Sequence, residues 1–134
     1  MTINELDKAY FEFHATLLSA FIEQIKIQPP FCLEDCSNED QEFLLALNNL
    51  PHAGGNDLLI QGQYLLCKIV AGYSHLMPLL PRDLLWFFGG DCLHYMPDEE
   101  IHMFQKLDEE RQDANEKNET FSYANARLRG MALH

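Results

Sequence analysis

The sequence predicts an all-α fold, a single bundle-like domain of five or six helices with no β-sheet. Apolar residues recur at helical spacing along most of the chain, no run alternates apolar and polar positions with β-branched enrichment, and valine occurs once. The 134 residues are near the commonest size of one domain, enough to bury well over half of the surface of the unfolded chain.

Thr2 with Glu5 three residues later is a capping box, and it opens a helix that can continue to about Gln28, where Pro29-Pro30 stops it. At 100° per residue, Ile3, Leu6, Tyr10, Phe13, Leu17, Phe21 and Ile25 share one face, widened by Phe11, Leu18 and Ile22, while Glu5, Lys8, Glu12, Ser19, Glu23 and Lys26 hold the other. Ser37, with Asp40 three residues on, starts a short second helix that ends near Leu50. Pro51 and Gly54-Gly55 make the next turn, and Asn56 is placed to cap a third helix, DLLIQGQYLLCKIVAGY. That helix is apolar over most of its circumference, with Gln61, Tyr64, Lys68 and Gly72 forming its polar stripe.

Ser74 to Leu80 reads as a connection, and Pro81 suits the first position of a fourth, very apolar helix, RDLLWFF, which Gly89-Gly90 ends or kinks. Pro97 followed by Asp98, Glu99 and Glu100 starts a fifth helix, because acidic residues in a first turn interact favourably with the helix dipole. It runs to about Asn118 with an apolar face of Ile101, Met103, Phe104, Leu107 and Ala114, and its charged far end is expected to project into solvent. A last helix is expected from about residue 121 to 133, with Arg127 and Arg129 near its C-terminal end.

Hydrophobic residues make up 47% and charged residues 22%, which excludes a disordered chain. The formal charge of −12 repels phosphate backbones and anionic lipid, so nucleic acid and membrane surfaces are poor partners and a protein with a basic face is a good one. No basic segment precedes the first apolar run and no run is long enough to span a bilayer, which points to a cytoplasmic protein. The four cysteines, Cys32, Cys36, Cys67 and Cys92, are then expected as reduced thiols.

Leu84, Leu85, Trp86, Phe87 and Phe88 form the most concentrated apolar segment. They are the candidate partner-binding residues, since aromatic clusters supply anchors at interfaces, although a core helix has the same appearance in sequence. Asp91, Cys92 and His94 carry ligand types that suit zinc or iron just after a glycine break, without a second pair to complete four ligands. Glu99 and His102 have the spacing of di-metal bundle proteins, but the motif occurs once and His102 lies opposite the apolar stripe. Cys32 and Cys36 are separated by three residues, where redox motifs have two. Asp7 and His14 fall inside the buried arc of the first helix and form a possible buried polar pair, and Gln63 makes the same demand for a partner on the third helix.

No histidine has the His-x-x-Lys-Gly context of phosphotransfer modules, and the phosphate loop, dinucleotide glycine pattern, serine elbow and two-histidine zinc helix are absent. The expectation is therefore a non-enzymatic interaction or regulatory protein, adaptor-like and homodimeric, with no cofactor. It would act through an apolar aromatic surface and an acidic face. The alternative is a small enzyme or a ligand- or metal-binding helical protein with a pocket near Asp91, Cys92 and His94.

Overall fold

Each long apolar period of the sequence becomes a helix, and the shortest of them takes the centre. In a computed structural model, which describes residues 5–132 and the side chains of residues 8–130, the α-helices are α1 (Glu5–Lys26), α2 (Asn38–Asn49), α3 (Gly55–Gly72), α4 (Arg82–Phe88), α5 (Asp98–Glu116) and α6 (Tyr123–Ala132). Short 3₁₀ turns at Leu50–His52, Ser74–Leu79 and Gly90–Tyr95 join them, and no strand occurs among the described residues. The all-α expectation holds.

The helix boundaries follow from local chemistry. Ser37 caps α2 by accepting a hydrogen bond from the Asp40 amide at 3.1 Å, as its position implied. Asn56 does not cap α3. Gly54 takes that place, and Gly55 begins the helix at φ +56, a conformation that glycine adopts at little steric cost. Pro81 stands one residue outside α4 as its N-cap, because its extended backbone carries the chain into the helix. Gly89 and Gly90, both at positive φ, end α4 and fold the chain at once into the 90–95 turn. The capping box at Thr2, and Ile3 and Leu6 of the first apolar face, lie outside the residues whose side chains are described.

α4 packs against α1, α3 and α5 and against the turn that follows it, so one continuous core passes through this seven-residue helix. Phe21, Ile25, Leu47, Leu66, Ile69, Leu76, Leu84, Leu85 and Phe104 are fully enclosed. A Leu or Phe side chain buried in this way contributes roughly 1.5–3 kcal/mol. Phe11, expected to widen the buried face of α1, is exposed instead, as it lies at the rim of the α1–α4 contact. The charged far end of α5 is exposed at Asp113 and from Glu116 to Glu119, as expected, although Ala114 between them is buried and α6 packs back along α5.

Candidate functional site

The aromatic segment does not form one surface. Leu84 and Leu85 are 0% exposed and Phe88 is buried, so three of the five residues assigned to partner binding sit inside the core. α4 is short, and its neighbours enclose the face that carries Asp83, Leu84, Leu85 and Phe88. Trp86 and Phe87 are half-buried and committed to other helices. Trp86 stacks on Phe104 at 5.9 Å and donates its indole N–H to Asp108 Oδ2 at 3.0 Å, while Phe87 stacks on the His14 ring at 4.7 Å.

Between them, α4 turns a carboxylate inward. Asp83 is 1% exposed and receives the forked guanidinium of Arg127 from α6, with Nε on Oδ2 and a second nitrogen on Oδ1 at 2.7 Å. A carboxylate taken out of water loses several kcal/mol of hydration, and a bidentate guanidinium offsets that loss with two directed, charge-assisted bonds. The hydrogen bond to Asp83 in turn raises the pKa of Arg127. Next to this pair lies His14, 1% exposed and ringed by Tyr10, Phe87, Phe13 and Tyr123 at centroid distances of 4.4, 4.7, 5.1 and 5.4 Å. Its Nδ1 lies 2.8 Å from the Tyr10 carbonyl, which fixes the proton there and leaves Nε2 as an acceptor. Burial lowers the pKa of His14, against the pull of the Tyr10 carbonyl and Asp83, with Arg111 and Arg127 pushing the same way as burial. Burial also raises the pKa of the Tyr123 hydroxyl. His14 Nε2 and Tyr123 OH have no hydrogen-bond partner among the described residues. Asp7, the expected mate of His14, has its side chain outside the described residues, and the charges that face His14 are Asp83, Arg111 and Arg127.

The candidate ligands Asp91, Cys92 and His94 scatter. The 3₁₀ turn points Asp91 and His94 into solvent and Cys92 into the core, where its thiol donates to the Gln63 carbonyl at 3.8 Å. No group of three His, Cys, Asp or Glu residues among those described could hold a metal ion. Glu99 and His102 are both exposed on the outer face of α5. Cys32 is exposed, and the Cys36 thiol is occupied by the Ser37 carbonyl at 3.8 Å. Gln63 finds its partner within the chain, donating to the Phe88 carbonyl at 2.8 Å.

Single exposed apolar residues occur in several parts of the chain, among them Ile27, Leu45 and Leu128, and an exposed apolar pair lies on α3. Ile60 and Tyr64, one helical turn apart, are 65% and 62% exposed, and the Lys68 ammonium one turn further lies 5.4 Å from the Tyr64 ring. Lys68 also borders a shallow groove with Glu39, Asp40, Ala71, Gly72 and Tyr73, in which Tyr73 donates to Asp40 Oδ1 at 2.5 Å. Apolar anchors thus run directly into a polar groove with two acidic residues on its α2 side.

A family model described as PA2817-like matches residues 6–134. The chain belongs to the PA2817-like family. No curated protein and no solved structure matches it. The family match takes in α1 from its second residue and runs through α6, so both the α3 face and the Asp83–Arg127 pair lie within the matched residues.

Sequence reasoning missed Asp83, Arg127 and Ile60. Asp83 has the position of an ordinary first-turn acid, and Arg127 stands mid-helix beside the last-turn base Arg129 like one more solvated cation, so neither advertises burial. Ile60 reads as one more apolar residue of a helix that is apolar nearly all round. The available signal was that it falls one turn before Tyr64, on the stripe that Gln61 and Lys68 mark as wet.

Proposed function

We propose that this protein is a non-enzymatic protein-interaction module whose contact face runs along α3 from Ile60 through Tyr64 to the groove between Lys68, Glu39 and Asp40. The observation that carries this is the pair of large apolar side chains, Ile60 and Tyr64, held rigidly one turn apart and left in water. The partner is a protein segment with an apolar side chain to cover Tyr64 and a basic side chain to meet Glu39 and Asp40. The chain's formal charge of −12 favours its approach and disfavours phosphate backbones and anionic lipid. An intracellular setting belongs to this proposal; among the described residues no helix is long and apolar enough to cross a membrane. A homodimer does not belong to it. α3 and α4 do not need a second copy to cover their apolar sides, since the chain itself encloses Leu65, Leu66, Ile69, Leu84 and Leu85. The enzyme alternative loses its basis with the scatter of Asp91, Cys92 and His94.

A photo-crosslinking residue placed at Ile60 in the native cell tests this, with the same residue at the exposed His102 as control. The expected product is a second protein joined through a segment that contains Lys or Arg, and its yield falls with Tyr64→Ser or Glu39→Lys while the unfolding temperature stays unchanged. Equal yields from both positions, or products with this chain alone, would overturn the proposal.

A further inference from the structure

Two thiols come together where the 90–95 turn packs on α3. Cys92 Sγ lies 3.8 Å from the Gln63 carbonyl oxygen, which is also the helical acceptor for the N–H of Cys67 one turn later. A side chain at position 67 leans back over that same turn of the helix, toward Cys92. Burial and then the neighbouring Cys67 push the pKa of Cys92 up to about 12. Tyr95 completes the cluster on the solvent side, and Cys67 is the largest influence raising the pKa of its hydroxyl. Both cysteines are free thiols, Cys92 fully enclosed and Cys67 half-buried. The carbonyl of Phe88 and the close approach of Gly90 to the Gln63 side chain hold the turn against α3, so the pair is kept together by three separate contacts.

We propose that Cys67 and Cys92 are a peroxide-oxidisable pair that closes to an intramolecular disulfide, with Cys67 as the sulfur attacked first and Cys92 as the one that resolves it. The accessible Cys67 sulfur attacks a hydroperoxide: an S–O bond forms, the O–O bond breaks, the sulfur loses two electrons and the peroxide is reduced, leaving as water or an alcohol. The Cys92 sulfur then attacks the sulfenic sulfur. The S–S bond forms as S–O breaks, and the departing hydroxide takes the Cys92 proton and leaves as water. Enclosure keeps Cys92 protonated and out of reach of oxidant in solution, so it reacts only with a sulfur already beside it. Cys32 and Cys36 provide the internal comparison: Cys32 is exposed, and the Cys36 thiol donates to the Ser37 carbonyl at 3.8 Å. The bond would join α3 to the segment after α4 and fix the two together. This proposal is independent of the α3 contact face.

The test is hydrogen peroxide treatment of the folded, reduced, full-length protein, followed by thiol blocking and peptide mapping without reductant. The expected result is loss of two of the four thiols, recovery of a peptide linking Cys67 to Cys92, and a rise in unfolding temperature that reductant reverses. With Cys67→Ser, Cys92 should stay reduced under the same treatment. With Cys92→Ser, Cys67 should accumulate as a sulfenic acid that dimedone traps. Should Cys92→Ser fail to fold, the wild-type map and Cys67→Ser decide. A Cys32–Cys36 link with Cys67 and Cys92 still reduced, Cys67 over-oxidised without a crosslink, or Cys92 oxidised in Cys67→Ser would each overturn the proposal.

Discussion

Toward α3, α4 presents Phe88 to a helix that has a glycine at the point of contact; toward α1 and α6 it presents Asp83 and Phe87 to a cluster of charged and aromatic side chains. The first contact is dry. A Cβ at Gly62 would collide with the Phe88 ring, so α3 accepts a glycine in its interior, at about 1 kcal/mol of helix propensity, to let the two helices close. On the second side an ion pair is enclosed, and Tyr10 and Tyr123 meet edge-on at 5.1 Å beside His14. Apolar packing tolerates small adjustments on one side, whereas on the other each polar group depends on one particular partner. The same seven-residue helix is therefore secured by shape on one flank and by charge on the other.

Breaking the charged flank should have the largest effect. Arg127→Ala leaves Asp83 enclosed without its counter-ion and is expected to cost about 3–5 kcal/mol in urea unfolding. The double variant Asp83→Leu, Arg127→Met should recover most of that loss, since an apolar pair needs no hydration. If Arg127→Ala proves as stable as wild type, the pair does not hold α6.

The dry flank is probed by Gly62→Ala. An ordinary helical glycine gains about 1 kcal/mol on this change, but here overpacking against Phe88 should reverse the sign and destabilise by about 1–3 kcal/mol. Adding Phe88→Leu to make room should restore part of the loss. Gly72→Ala, where no atom lies within 4 Å of the new Cβ, is the control. A stabilising Gly62→Ala would contradict the close contact.

The smallest effect is one of pH. The folded chain holds His14 neutral below the pKa of 6.5 that it takes when unfolded, so below that pH the unfolded state binds the extra proton. Stability is then complete above about pH 6.5 and declines as pH falls toward the depressed folded value, with a slope of at most about 1.4 kcal/mol per pH unit. Unfolding midpoints of wild type and His14→Phe, compared from pH 7 down to pH 5, should diverge by this slope. Parallel curves would mean that His14 does not titrate with unfolding.

The difference between the flanks also explains what the sequence disclosed. Periodicity sufficed to place α1 to α6 within a few residues, because an apolar stripe reports its own burial: Phe21, Ile25, Phe104 and Leu107 all fell where their spacing put them. Glycine and proline marked the breaks at residues 51–55 and 89–90 for equally local reasons. Charge carries no such periodicity. Nothing near Asp83 in the chain shows that Arg127, 44 residues on, will meet it. The same holds for Cys92, which seemed to belong with Asp91 and His94 as sequence neighbours and instead faces Gln63 across the fold. Segments that are apolar on all sides, such as 84–88, do not reveal from composition whether the chain or a partner covers them; here the chain encloses Leu84, Leu85 and Phe88 and leaves Trp86 and Phe87 half-buried.

Synthesis of the chain gives the Asp83–Arg127 pair a temporal meaning. A ribosome completes α1 to α5 before Arg127 exists, so through that interval the nascent core contains a carboxylate with no cation to receive it. Burying that carboxylate unpaired is costly, so α4 stays open to water and the core stays loose until α6 is made. Closing of this core thus waits for α6 to be translated, and a chain interrupted before residue 127 is left with a loose core of the kind that chaperones and proteases act on.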